Sequence, residues 1–495
     1  MKVKKEIILA SSDSEIRIAI LEDSQLVEFF IEHDTKSALV GRIYKGIVEN
    51  VVKGLRGAFV NLGLKKNGFL PLADIPELEA FDESKLEIEP EDKKPVSREL
   101  SISPGQEILC QVTKEPLGEK GVRVTSYISL AGRNLVYFPS VPRIGISRRI
   151  RDRKTRTRLR ALAKQIKKRD VGLIIRTSAE NATDDEIRNE YRALEIKWAE
   201  IQARANQEKA PTLLYDESDI ITQIVRDLFT HDVESLIVDS EEKYKEIIDA
   251  LKIMAPSLIP RVSLYRGEVP IFEHYGIEEQ LNRALERRIW LKSGGFITID
   301  QTEALVAIDV NSGRFAQEED PERLILQTNL EAASEIARQI RLRDLSGLII
   351  IDFIDMKEQK NMDIVVRELK MCLENDRAKA DFAKVSRFGI LEMTRERIRP
   401  SLLHTLCEVC PVCKGLGRVL SRTEIAMKIE RTLYAKSQQL TGQKVKIMVA
   451  PQNYEFLLSE REEQLSEIAK KYKLALEIKP DNQIPITEFK IYIGT

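Results

Sequence analysis

Two apolar runs that each carry an aspartate constrain this chain most. Ala304–Val310 reads ALVAIDV and Gly347–Ile354 reads GLIIIDFI, with a helical pattern over Pro321–Asp344 between them. Strand, helix, strand in that order predicts neighbouring strands of one sheet in an α/β layer. A bare carboxylate in an apolar strand is costly unless it finds a partner or stays at the strand's end. Period-2 geometry puts Asp309 and Asn311 on one face, which Asp352 reaches if the two strands are adjacent. Asp355, three residues beyond Asp352, points the other way for as long as the strand persists. Two carboxylates and an amide converging at strand ends make a hard-oxygen site suited to Mg²⁺, which can neutralise charge at a phosphodiester. The competing reading is that both acids cap strand ends or pair with arginines.

Composition excludes several classes. With 495 residues the chain is long enough for about three domains, and its 43% hydrophobic residues suffice for sizeable cores. Lys and Arg number 78 against 79 Asp and Glu, a net charge of -1, so the chain is no disordered polyelectrolyte. The start has no secretory apolar region, and no run approaches a membrane span. Five cysteines, three of them between Cys407 and Cys413, make no disulfide framework. A soluble protein of the reducing cytoplasm is expected.

The texture changes along the chain. Residues 6–32 predict a β-hairpin turning at Ser11–Ser14. From Gly41 short Ile-, Val- and aromatic-rich strands punctuated by Gly54, Gly57, Gly63 and Gly68 predict a small antiparallel barrel. Phe59 and Phe69 lie on its strands among Lys53, Arg56, Lys65 and Lys66. By residue type they are either core or a base-stacking surface for single-stranded nucleic acid. Residues 77–104, acidic and rich in breakers, predict an exposed insertion loop. Between Arg143 and Asp170 thirteen Lys or Arg face two Asp, a one-sided run that reads as polyanion contact or as a basic surface helix. Thr183 and Glu186 form a capping box for a helix with Ile187, Tyr191, Leu194, Trp198 and Ile201 on one face. From Ser421 the order helix, strand (VKIMVAP), helix, strand (EFKIYIG) predicts a small α+β domain.

Cys410-Pro-Val-Cys413, followed by Gly415 and Gly417, has the shape of a zinc knuckle but supplies only two of four ligands. An unmetallated thiol pair, a site shared by two chains, and a one-chain site completed by His404 and Cys407 all remain open.

The segments IDVNSGRF (308–315), IIIDFIDM (349–356), SRFGILEMTRER (386–397) and CPVCKGLG (410–417) resemble the ribonuclease E/G endoribonuclease family, in the family's order over nearly the whole chain. The resemblance implies a multidomain α+β and α/β protein. In it an RNase H-like subdomain (1–36 and 222–284) receives an S1 RNA-binding barrel of the OB-fold (37–126). A 5′-sensor (127–221), a DNase I-like catalytic subdomain (285–406), a zinc link (407–420) and a small C-terminal domain (421–495) follow. Without the family's long disordered tail, the sequence resembles the shorter ribonuclease G-type members or a bare catalytic half. The resemblance further implies that Asp309 and Asp352 hold catalytic Mg²⁺, with Asn311 orienting substrate or water. It implies that Cys410 and Cys413 share structural Zn²⁺ with a second chain in a homodimer or a dimer of dimers. Phe59, Phe69 and Lys120 would contact RNA, and Gly132, Val136, Arg176 and Thr177 would form a 5′-monophosphate pocket. Lys379 stands where the family's second arginine is expected. The implied activity is hydrolysis of single-stranded RNA in rRNA and tRNA processing and mRNA decay, with 5′-phosphate products. The rival readings are a non-catalytic S1-type or ribosome-associated RNA-binding protein and a metal-dependent DNA nuclease.

Overall fold

A computed structural model describes residues 3–33, 39–71, 86–88, 102–114, 121–216, 220–313, 321–374 and 376–494. Lys120 and the Arg314–Phe315 end of the IDVNSGRF motif lie outside the described residues, as do the side chain of Lys53 and most of 77–104. The chain divides into two compact units, Met1–Ser401 and Leu402–Thr495.

The first unit opens with three strands, Lys5–Ser11, Glu15–Glu22 and Gln25–His33, where the sequence predicts only a hairpin. The second turn is made by Asp23 and Ser24, both at positive φ, a conformation that Asp tolerates better than most residues and that carries no glycine signal. Val233–Val238 and Val262–Leu264 complete this sheet in parallel with the first strand. The chain therefore leaves the sheet near residue 33 and returns about two hundred residues later.

Between those visits it builds the expected barrel. Strands Ile43–Val52, Gly57–Asn61, Gly68–Pro71, Arg123–Thr125 and Glu107–Lys114 pair in that order, and the first pairs with the last to close the ring. A second sheet gathers strands from 130–175. Its edge strand is Leu86–Ile88, paired antiparallel with Gly145–Ser147, so the segment read as an exposed loop contributes a strand. The pairing is non-local, and three residues in an acidic stretch leave no periodic signal. The helix after the capping box runs Asp184–Gln207, with both reciprocal capping bonds formed. Helix Arg153–Ile166 holds much of the basic run. Arg158 pairs with Asp184, Arg151 with Glu374 and Lys168 with Glu195, while Arg149 and Arg156 donate to backbone carbonyls. Part of the one-sided run thus finds acids elsewhere in the fold.

The remaining sheet of the first unit has strands Arg288–Trp290, Phe296–Gln301, Leu305–Asn311, Gly347–Asp352, Ile390–Arg395 and Ala380–Phe382, adjacent in that order. Strands Leu305–Asn311 and Gly347–Asp352 are parallel neighbours, as the strand–helix–strand pattern predicts. Helices Pro321–Leu342 and Gln359–Cys372 cover one face, burying Ile297, Ile308, Val310, Ile349, Ile351 and Leu391. The opposite face is not covered by these helices. Arg341, near the end of the longer helix, reaches Glu22 and Glu28 of the N-terminal sheet and ties the two sheets together.

In the second unit, strand Lys444–Val449 lies between Ala475–Pro480 and Phe489–Gly494. Ala475–Pro480 is an extra strand beyond those expected. Its ALEIKP sequence alternates weakly, and it pairs parallel to its neighbour through an intervening helix pair.

Candidate active site

The acids sit where adjacent strands end. Asp309 and Asp352 are opposite one another in the parallel ladder, and both side chains are exposed on the uncovered face. Asn311 lies one step further along the same face and donates from Nδ2 to Asp309 Oδ2 at 2.7 Å. The strand ends at Asp352, so the expectation that Asp355 faces away fails. Beyond the strand the chain turns, and Asp355 comes near enough to act on Asp352. Partial burial and the charges of Asp309 and Asp355 raise the Asp352 pKa above its ordinary value.

Among the described residues, which do not include Arg314, neither Asp309, Asp352 nor Asp355 has an ion pair, whereas nearby acids that serve structure do. Asp344 and Asp376 are buried against Arg395, with Arg395 Nη1 2.6 Å from Asp344 Oδ1 and Nε 2.6 Å from Asp376 Oδ2. Arg395 of SRFGILEMTRER is thus a buried structural cation. Carboxylates left without a counter-charge on a solvent-facing ladder are a donor set that fits a divalent cation. Among the described residues no group of three His, Cys, Asp or Glu is placed to hold a metal.

On the barrel, Phe59 and Phe69 are cross-strand partners with ring centroids 5.7 Å apart in an edge-to-face arrangement. Neither belongs to the barrel core, which is made by Val48, Val60, Leu62, Leu70, Val112 and Val124. Gly57 makes room for the pair, since a Cβ there would lie 2.3 Å from the Phe69 ring. Arg56, Lys65 and Lys66 are exposed.

Gly132, Val136, Arg176 and Thr177 gather in the sheet of 130–175. Arg176 donates to the Gly132 carbonyl at 2.7 Å and to Asp227 Oδ1 at 2.6 Å. The Thr177 hydroxyl is 2.9 Å from that of Ser147. Val136 is buried with Phe138, Val141 and Ile174, so its side chain faces a core, and its backbone stands in register with Ala131 on one side and Ile174 on the other. Arg133 and Glu190 lie beneath. Burial raises the Glu190 pKa and lowers that of Arg133. Burial would also raise Asp227, but Arg176 and Arg226 outweigh it and hold the carboxyl below its usual range. Arg133, Arg176 and Arg226 face Asp227, Glu190 and Glu186, so the network is balanced in charge. Lys379 is not part of this network. It lines a separate cavity with Arg149, Arg367 and Lys370, and its ammonium is 3.9 Å from Asp381. Asp227 and Glu190 escaped sequence reasoning because nothing local distinguishes them from surface acids.

At the knuckle, the Cys410 thiolate is favoured by backbone N–H groups of Cys413 and Val412 and by the Cys413 thiol, which lowers its pKa. Lys414, Gly415 and Gly417 at positive φ wrap the loop. His404 and Cys407 do not assemble with the pair into a group of three among the described residues. Cys110 is buried, its thiol pushed up to about 12 by desolvation, and plays no part.

No described helix is long and apolar enough to cross a membrane. A model described as the ribonuclease E/G family matches residues 129–398, one described as the S1 RNA binding domain matches 38–125, and one described as the RNase E/G thioredoxin-like domain matches 409–493. Ribonuclease G of Haemophilus influenzae is 37% identical over 92% of this chain and 92% of its own length. Ribonuclease G of Escherichia coli is 34% identical over 94% of each. Ribonuclease E of Haemophilus influenzae is 37% identical over 99% of this chain, which spans only 52% of that relative.

Proposed function

The chain belongs to the ribonuclease E/G family of endoribonucleases, and on that premise we propose that it cleaves single-stranded RNA with Mg²⁺ held by Asp309 and Asp352. The observation that carries the proposal is the pair of exposed cross-strand acids that have no counter-charge among the described residues. A purely RNA-binding protein has no use for such a pair. Asn311 fixes the Asp309 carboxylate through its amide hydrogen bond, which holds one metal-binding oxygen in place before the ion arrives. The cation, when bound, supplies Lewis acidity and charge neutralisation at the scissile phosphodiester. The hydrolysis leaves a 5′-phosphate on the downstream product.

In this reading the sheet that begins at Lys5 is an RNase H-like subdomain interrupted by the S1 barrel, and the sheet of 288–395 is DNase I-like. Phe59 and Phe69 stack bases, with Lys120 as a phosphate contact. Arg176, Thr177, Gly132 and Val136 receive a 5′-monophosphate, with the Arg176 guanidinium held in place by the Gly132 carbonyl and Asp227. Lys379 is the weakest member of that set, since its cavity is shared with Arg149 and not with Arg176. Cys410 and Cys413 would hold structural Zn²⁺ with the same pair from a second copy, making a homodimer. That fits two thiols in a preorganised loop, with no group of three possible ligands among the described residues. Five unbridged cysteines suit a reducing cytoplasm and a role in RNA processing and decay.

Asp352→Asn tests the catalytic assignment. Turnover on a 5′-phosphorylated single-stranded RNA should fall at least about 100-fold, the loss of roughly 2.7 kcal/mol of transition-state stabilisation. Wild-type turnover by this variant would remove the acids from the mechanism.

A further inference from the structure

The uncovered face that carries the acids also carries a cluster that no fold requirement explains. Trp290 pairs with Phe296 across the edge of the sheet, and Phe296 pairs with Asn311. Arg288, two residues before Trp290, pairs with Thr298, and Thr298 pairs with Asp309. Residues in register on neighbouring strands share a face. Arg288, Trp290, Phe296, Thr298, Asn311, Asp309 and Asp352 therefore form two adjacent rows on the same side. The alternate residue Ile297 is buried under the helices and Ile289 packs partly against the same core, as that orientation requires.

The cluster contributes little to packing. Trp290 is 64% exposed, although indole is among the costliest surfaces to leave in water. The two rings meet edge to face with centroids 5.3 Å apart. The Arg288 guanidinium lies 4.3 Å from the Phe296 centroid and 5.9 Å from that of Trp290. An exposed indole, a second ring held against it and a cation over both make a preformed stacking surface for a base, with a positive charge ready for the adjoining phosphate. Two strand spacings, about 10 Å, separate Trp290 from the strand of Asp309. A base stacked on Trp290 thus lies within one or two nucleotides of a phosphate held at the acids.

We propose that Arg288, Trp290 and Phe296 form a base-stacking subsite for single-stranded RNA beside the carboxylates, separate from Phe59 and Phe69 of the barrel. The proposal rests on the RNA-cleaving reading above. It assigns to this sheet edge the positioning of the nucleotides next to the scissile bond.

The chain has two tryptophans, so Trp198→Phe leaves Trp290 as the only indole. In the full-length chain carrying Trp198→Phe and Asp309→Asn, titration with a 5′-phosphorylated AU-rich decamer should quench Trp290 emission saturably. With the catalytic acids intact, Trp290→Ala should lower kcat/KM about 10-fold, the low end of what loss of a base stack removes. Trp290→Phe, which keeps an aromatic face, should restore most of it. Emission unchanged while anisotropy of labelled RNA shows saturation would overturn the subsite. So would emission that follows protein concentration and not RNA, which would give the patch to contact between copies of the chain. Failure of the underlying reading is distinct: Asp309→Asn would then cleave like wild type, whatever the indole reports.

Discussion

At the scale of single residues, what matters is which polar groups are left without partners and which rings are left in the open. Asp344 and Asp376 are neutralised by Arg395, with Arg399 also on Asp344, whereas Asp309 and Asp352 have no ion pair among the described residues. What marked Asp309 and Asp352 was their position at the end of apolar runs. Phe59 and Phe69 were ambiguous for the converse reason, because residue type cannot tell an inner from an outer barrel face when the strands are short and irregular. Gly57 resolves part of that ambiguity, and it offers a test. Gly57→Ala would place a methyl group into the Phe69 ring, so the ring must move. RNA affinity measured by anisotropy should fall several-fold, by about 1 kcal/mol or more of lost stacking, with at most about 3 kcal/mol lost from barrel stability. Unchanged affinity would argue that the rings do not touch RNA.

At the scale of elements, the strands and helices with strong periodicity were legible, and those made by distant pairing were not. The helix of Asp184–Gln207 and the strand–helix–strand unit were read closely because capping and alternation are local signals. Leu86–Ile88 and Ala475–Pro480 were missed because their partners, not their sequences, make them strands. The strand Ile390–Arg395 shows how an element is held from within. Arg395 is almost wholly buried between Asp376 and Asp344, so Arg395→Met strips the buried Asp376 carboxylate of its ion pair, leaves Asp344 to Arg399 alone, and should cost roughly 3–5 kcal/mol. Urea unfolding should show this as an earlier midpoint. A midpoint equal to wild type would mean that the network does not hold the strand.

At the scale of the whole molecule, charged contacts tie the sheets of the first unit together and make its stability depend on pH. Burial would raise the Glu28 pKa, yet Arg377, Arg341 and Arg399 outweigh it and hold the carboxyl below its usual value; Asp227 is depressed likewise. A depressed folded pKa gives stability that is complete above the unfolded value. That stability is lost as pH falls below about 4 toward the folded values. Acid unfolding of Glu28→Gln should therefore show a shallower pH dependence than wild type over that range, from a lower starting stability. An identical slope would remove Glu28 from the account. Assembly has its own test. The double variant Cys410→Ser, Cys413→Ser should lose zinc and run as a smaller species in light scattering, with wild type holding one zinc per two chains. One zinc per chain would contradict the shared site and restore His404 and Cys407 as ligands.

The central claim is that two exposed cross-strand aspartates make this chain an RNA-cleaving enzyme. It is tested most directly by incubating wild type and Asp309→Asn with a 5′-phosphorylated, AU-rich single-stranded RNA, with and without Mg²⁺, while measuring binding in parallel. Wild type should cleave only with Mg²⁺. Asp309→Asn should lose at least about 100-fold in rate while binding RNA almost as well, because base stacking is untouched. Cleavage by Asp309→Asn at the wild-type rate, or by wild type without Mg²⁺, would contradict the account.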